Sequence, residues 1–231
     1  MSAKTPMKLS KTTFEILDNF SGINQSIHVK SGSKLRTISV MKNILAEADV
    51  DEDFSNDFAI YDLSQFLNLV KVVHGIEDSE LKFSNDKFVT ISDGRNKTNY
   101  FFADPSVIVS PPDKNLSLPT EDVSFRITQQ QLTKLKQSAA ILNLPDLSIV
   151  GDGEKVVVKI HDRKTDSSND FGFPVGQTDK KFSFNFKLEN IKLINGDYDV
   201  IISRKLLSKW STSSGAVRYY IALEPDFEFE E

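Results

Sequence analysis

The 231-residue sequence contains no cysteine, which excludes disulfides, thiolate metal sites and thiol nucleophiles. Histidine is nearly as scarce. His28, His74 and His161 lie far apart, and none stands in metal-ligand spacing with another histidine or a carboxylate motif. Each is expected at the surface or in a turn. Long hydrophobic runs are also missing: no stretch approaches the ~20 apolar residues of a membrane span. Residues 1–12 lack the apolar core of a signal peptide, so the sequons at Asn24, Asn96 and Asn115 carry little weight and a cytoplasmic address is expected. Phosphate-loop chemistry is absent, because Ser31-Gly32-Ser33-Lys34 lacks the first glycine and the Gly-Lys-Ser/Thr ending of that motif. Gly151-Asp152-Gly153 lies between two strand patterns rather than before a helix. The acidic run Asp49-Val50-Asp51-Glu52-Asp53 has Phe54 where a calcium loop needs glycine and Ile60 where it needs its bidentate acid, so a solvated loop is expected. No serine sits in a nucleophile elbow. Neither an enzyme nor a cofactor is expected.

What the sequence does have is an ordinary globular composition, 39% hydrophobic, with a formal charge of −5. A negative total argues against a protein that coats nucleic acid with its whole surface, yet leaves room for a local basic face. The length suits two domains of roughly 110 residues, and the order of patterns repeats. An amphipathic segment at Ser10–Ile23 is followed by strand-like runs, a short helix pattern at Leu63–His74, and a close on Ala103-Asp104-Pro105. A second amphipathic segment at Thr128–Leu142 is followed by strands, a short helix pattern near Lys187–Ile194, and a close on Glu224-Pro225-Asp226. Between the halves, Ser106 to Pro119 is proline-rich and reads as a stiff linker, or strap, lying over the surface. Asp166–Asp179 reads as a polar, mobile loop.

Hydrophobic alternation marks the strands: Ser26–Val29, Leu35–Met41, Leu81–Phe83 with Lys87–Ile91, Leu147–Val150 with Lys155–Ile160, Phe182–Phe186 and Tyr198–Ile202. The helices carry narrow apolar stripes: Phe14, Leu17 and Phe20; Leu63, Phe66, Leu67 and Val70; Leu132, Leu135, Ala139 and Leu142. Opposite the last stripe lie Gln130, Thr133, Lys134 and Gln137, a face of amides and lysine that suits loose, sequence-blind contact with phosphates.

With these residues laid out, the chain resembles the DNA sliding clamps of T-even-type bacteriophages. The collinear matches are Met7-Lys8-Leu9-Ser10-Lys11, Asn19-Phe20 with Ile23-Asn24, Lys30-Ser31-Gly32, Ala46-Glu47-Ala48, Ala59-Ile60-Tyr61-Asp62-Leu63 with Phe66-Leu67, Ala103-Asp104-Pro105-Ser106, Gly196-Asp197-Tyr198 and Ala222-Leu223-Glu224. The resemblance implies an α+β chain of two similar clamp domains, residues 1–105 and 123–231, joined by a linker at 106–122, with residues 1–6 expected to be disordered. It further implies a homotrimeric ring, helices lining the hole and sheets outside, that encircles duplex DNA and tethers the phage DNA polymerase. A clamp loader would open it, and a sigma-like factor with a late-transcription co-activator would contact it, all in the cytoplasm of the infected host. On that basis Lys8, Lys11, Lys71, Gln130, Lys134, Lys136, Gln137 and Lys192 are expected to face DNA. Val107, Ile108, Val109, Leu116, Leu118, Tyr219, Ile221, Leu223 and Pro225 are expected to line a partner pocket, with at most half of the closing strand's residues free to do so. A β-rich virion structural protein is the alternative expectation; it explains the duplication but not the helices bearing lysine and glutamine.

Overall fold

A computed structural model describes residues 6–114 and 116–230. The expectation for residues 1–5 therefore lies outside the described residues. The chain divides into two compact units, with the boundary between Asp113 and Lys114.

The first unit opens with helix α1 (Lys11–Ser21), whose N-cap Ser10 accepts a hydrogen bond from Thr13 N–H. Phe14, Ile16, Leu17 and Phe20 are its buried stripe. Strands β1 (Ile27–Val29), β2 (Gly32–Ile38), β3 (Ile44–Phe54) and β4 (Phe58–Ile60) follow. β1 pairs antiparallel with β4 and β2 with β3, while β1 lies beside β2. Helix α2 (Leu63–Asn68), capped by Asp62, continues into a π-helical turn, Leu69–His74, that stops at Gly75 with φ 78°. Strands β5 (Glu80–Lys82), β6 (Phe88–Ser92) and β7 (Lys97–Phe101) form a meander, and Met7 bridges to β5 at Leu81. α1 packs on α2 and β3.

The second unit repeats the plan. β8 (Val123–Ile127) leads into α3 (Gln129–Leu142), then β9 (Asp146–Asp152), β10 (Lys155–His161), β11 (Phe171–Gln177) and β12 (Lys181–Lys187). β13 (Tyr198–Ser203), β14 (Leu207–Thr212), β15 (Val217–Ala222) and a terminal β16 (Glu228–Phe229) complete it. One sheet runs β11-β10-β9-β12-β16; in the other, β13 lies between β8 and β14, and β14 pairs with β15. α3 lies against β10 and β11. Phe184, Phe186 and Trp210 are fully buried, each contributing roughly 1.5–3 kcal/mol of transfer free energy. The Trp210 indole N–H donates to Ser208 Oγ at 3.0 Å, so this buried donor is satisfied.

Several expectations are corrected. Residues 166–179 are not one loop: 171–177 form β11, at the end of its sheet, where Gly172, Pro174 and Gly176 are tolerated because only one side of the strand is paired. The acidic run 49–53 is strand, not solvated loop. Period-2 alternation turns Asp49, Asp51 and Asp53 outward and buries Glu52 and Phe54. The helix expected at Lys187–Ile194 is a single 3-10 turn, Leu188–Asn190, because β12 runs through Lys187. His161 is a strand residue, half-buried, with Nε2 2.8 Å from Ser148 Oγ. His28 lies in β1, and the side chain of His74 is outside the described residues.

Glu52 is the joint between strand and helix in the first unit. Its carboxylate accepts from Ser10 N–H at 2.5 Å and from the Thr13 hydroxyl, satisfying the start of α1 from another element. Burial acts to raise its pKa, but these hydrogen bonds together outweigh it and hold the carboxyl below its ordinary value. Glu52→Ala is therefore expected to destabilise the chain by about 1–3 kcal/mol at neutral pH in urea unfolding. Because the folded pKa is depressed, this stabilisation exists above the unfolded pKa and is lost as pH falls through the folded one. The gap between wild type and variant should thus close below about pH 4.

Candidate nucleic-acid interface and docking strap

The second unit presents the clearest candidate surface. Thr128 and Gln131 form a reciprocal capping box at the start of α3, and Asn143 ends it in the left-handed region at φ 54°. Gln129 N–H also donates to Asp197 Oδ1 at 2.8 Å, so the helix start is already satisfied. With Leu132, Leu135 and Ala139 buried, Gln130, Thr133, Lys134 and Gln137 are left exposed along one shallow groove. α3 contains two lysines and no acid. Lys136 does not share that groove: it lines a separate hollow with Ala139, Ala140, Asn143 and Leu188. At ~100° per residue it points ~200° away from Lys134. Desolvation around its ammonium lowers its pKa from the ordinary lysine value.

The other candidates are scattered. Lys11 is exposed on α1, 4.0 Å from Glu15. Asp18 is exposed on the same helix, so its solvent side carries one cation against two anions. Lys8 precedes the helix and donates to the Glu77 carbonyl at 3.1 Å. Lys71 is exposed on the π-helical turn beside Val72 and Val73, with Gln65 and Asn68 exposed on α2 itself. Lys192 is exposed in irregular chain after the 3-10 turn, not on a helix.

The strap carries the partner candidates. Val107 is 61% and Val109 36% exposed, and Leu116 and Leu118 are half-buried, whereas Ile108 is 7% exposed and belongs to the core. Tyr219, Ile221 and Leu223 are core residues as well, which removes them from any partner surface. Both faces of β15 are covered, since Tyr220 is buried alongside Tyr219 and Ile221. The Tyr219 hydroxyl accepts from Ile194 N–H at 3.1 Å, and burial pushes its pKa up to about 12. Pro225 is exposed just beyond the strand. In the first unit the strap is tied by Asn24 Nδ2 to the Val109 carbonyl at 3.2 Å, by Arg36 to the Pro112 carbonyl at 2.7 Å, and by an ion pair between Lys30 and Asp113. Beneath it lies a hollow of about 140 Å³ lined by His28, Lys30, Lys34 and Arg36. In the second unit the Tyr220 hydroxyl donates to the Leu116 carbonyl at 2.9 Å. These anchors were missed in the sequence. Ser31–Lys34 stands out there as a failed phosphate loop and Asn24 as a sequon; only the alternation that places Lys34 and Arg36 on one side of β2 hints at them.

A family model described as DNA polymerase processivity factor matches residues 8–110. The sliding clamp of Vibrio phage KVP40 is 30% identical over 225 residues, covering 94% of this chain and 99% of that protein. The chain belongs to the sliding-clamp family. The sliding clamp of Escherichia phage RB69 is likewise 30% identical, covering 95% of this chain and 98% of that protein. Among solved structures, the DNA polymerase III subunit beta from Pseudomonas aeruginosa matches with a TM-score of 0.70 at 12% identity, covering 98% of this chain and 68% of that one. PCNA from Thermococcus kodakaraensis matches with a TM-score of 0.68 at 14% identity, covering 95% and 98%. These likenesses establish the clamp fold, whose family is a non-catalytic processivity factor. Among the described residues no helix is long and apolar enough to cross a membrane, and no cluster of three or more His, Cys, Asp or Glu is placed to hold a metal ion.

The α3 groove gives a direct expectation. Lys134→Ala should shorten retention on nicked circular DNA and lower the salt slope by about one unit per contacted phosphate. Lys192→Ala, off the helix, should change retention less; equal effects would remove the special role of α3.

Proposed function

We propose that three copies of this chain close into a ring around duplex DNA and hold a phage DNA polymerase on its template. The observation that carries the reading is the acid-free exposed face of α3 in a family of processivity factors, in a chain whose net charge is −5. Such a face supplies weak, sequence-blind phosphate contact, which permits sliding. The protein acts by enclosure and tethering, not by catalysis. The exposed strap residues Val107 and Val109, the half-buried Leu116 and Leu118, and the exposed Pro225 are the partner-facing set. The polymerase, a clamp loader, and the sigma-like factor and co-activator of late transcription are the partners, in the cytoplasm of the infected host.

Ring closure needs a head-to-tail contact, and the units supply two candidate edges. β7 ends the first unit's meander with a ladder only to β6, and Phe101 on it is 67% exposed. β11 ends the second unit's sheet with a ladder only to β10, and carries half-buried Phe171, Phe173 and Val175. Pairing β7 of one copy with β11 of the next covers both edges and makes a heterologous contact that closes by rotation.

Light scattering should give a mass near three times 26.0 kDa for the wild type. Phe101→Asp or Phe173→Asp should each shift it to one chain mass without a loss of cooperative unfolding, and should abolish processive synthesis on circular templates. A trimer that survives both changes would remove these edges from the ring contact.

A further inference from the structure

The C-terminal tail forms a contact that the repeated fold does not need. In the first unit the closing segment covers the β4 edge with one hydrogen bond, Ala103 N–H to the Ala59 carbonyl, while Phe102 packs on Phe58 and Phe83. The chain then departs into the strap. In the second unit the equivalent bond is Glu224 N–H to the Asn185 carbonyl at 2.8 Å, with Leu223 buried beside it. There the closing task is done, yet the chain continues along β12. Asn185 Nδ2 donates to the Asp226 carbonyl at 2.6 Å, Phe182 and Ser183 pair with Phe229 and Glu228, and Glu230 N–H donates to the Lys181 carbonyl.

This extension alternates like a bound peptide. Phe227 stacks on Phe184 at 5.6 Å between centroids, and Phe229 on Phe182 at 6.3 Å. Glu228 lies between the rings, and the flanking acids are paired: Asp226 with Arg163, and Glu230 at 3.7 Å from Lys181. The Lys180 ammonium and the Arg204 guanidinium stand 5.5 and 5.7 Å from the Phe229 ring. On the other face of β12, that of Ser183 and Asn185, the tail forms one wall of a cleft of about 570 Å³ whose other walls include Lys159 and His161 together with Asp162, Asp166 and Asp170. The hold is weak. The ladder is two residues long, Phe227 and Phe229 are only half-buried, and the ion pairs are solvent-facing.

We propose that β16 is an exchangeable strand. The β12 edge, with Phe182 and Phe184 and its rim of Arg163, Lys180, Lys181 and Arg204, is a docking site for an extended partner peptide that alternates aromatic and acidic residues. The tail occupies that site when no partner is present. Main-chain pairing supplies affinity, and the two ring positions with the basic rim supply selectivity. Because the tail is tethered, its effective concentration is on the order of millimolar, so an incoming peptide competes at a disadvantage that a bound partner must overcome. The proposal rests on the reading that this clamp recruits partners, but its test needs neither DNA nor polymerase.

Two fluorescein-labelled peptides serve as probes: the tail sequence Glu-Pro-Asp-Phe-Glu-Phe-Glu-Glu, and an unrelated Asp-Phe-Asp-Tyr-Asp with the same alternation. The chain ended after Pro225 should bind both at least ten-fold more tightly than the full chain, by fluorescence anisotropy. In the full chain, Ser183→Cys with Glu228→Cys places two cysteines at directly opposed strand positions in a protein that has no others. Opposed residues in antiparallel strands have Cα atoms ~4.5–5.5 Å apart, within the range a disulfide spans. Oxidised, this variant should bind neither peptide; reduced, it should recover the weak binding of the wild type at high peptide concentration. The locked and reduced forms are one polypeptide, so they decide the matter even if the truncated chain fails to fold. Equal binding by the two forms, or no binding by a cooperatively folded truncated chain, overturns the proposal. Binding of the tail peptide alone would confine the site to a second copy of this chain and overturn the partner assignment. Retention on circular DNA should be the same in both redox forms; its loss in every form would count against the ring and not against strand exchange.

Discussion

A β-sheet ends in a row of unpaired backbone donors and acceptors, and where those rows are hidden governs most of this structure. In the first unit the β4 edge is closed by the chain that follows β7. In the second the β12 edge is closed by the chain that follows β15, at the matching place in the repeat. The β7 and β11 edges have no such cover within their units. β11 shows how such an edge is tolerated. Pro174 offers no donor, and Gly172 lies so close to β10 that an added Cβ would stand 2.8 Å from the Val158 carbonyl. The strand is thus built for close approach on its paired side, with aromatic side chains left at its rim.

The helices obey the complementary rule. Their orphan N–H groups are satisfied by cap residues and by carboxylates from distant elements, Ser10 with Glu52 for α1 and Thr128, Gln131 and Asp197 for α3. Their apolar stripes are spent on the core. What remains on the solvent side has no structural task, so its composition is free to serve another purpose. On α3 that composition is amide, hydroxyl and lysine, with Ala140 and Ile141 exposed in its last turn and no acid; on α1 it includes Glu15 and Asp18. The two units share a plan but differ in the charge of these faces.

Much of this was legible in the residues. The helices at Ser10–Ile23 and Thr128–Leu142 are stated by apolar stripes of period 3.6, and most strands by period 2. What escaped did so for physical reasons. Strand β11 escaped because Gly and Pro interrupt its alternation, and only an edge position makes them compatible with pairing. Glu52 escaped because three of its acidic neighbours are exposed, and burial of one carboxylate depends on Ser10 and Thr13 arriving from forty residues earlier. Tyr219 and Ile221 were half-legible. Alternation says that one face of β15 is core, but not that Tyr220 on the other face is covered as well. The candidate site was legible as a helix face, since Gln130, Lys134 and Gln137 fall together, while Lys136, adjacent in sequence, falls elsewhere by helical geometry.

The divergence of α1 and α3 bears on how a protein of net charge −5 can sit on DNA at all. At physiological ionic strength the Debye length is ~8 Å, so a phosphate near one helix responds to that helix and hardly to the total charge. Lys134 on an acid-free face is therefore felt close by, while Glu15 and Asp18 limit attraction at α1. In the proposed ring, weak attraction would alternate with weak repulsion, and no single register on the duplex would be held tightly. Affinity would then come from closure and not from contact. For such a protein, the edges that close the ring carry more of the function than the residues that touch the DNA.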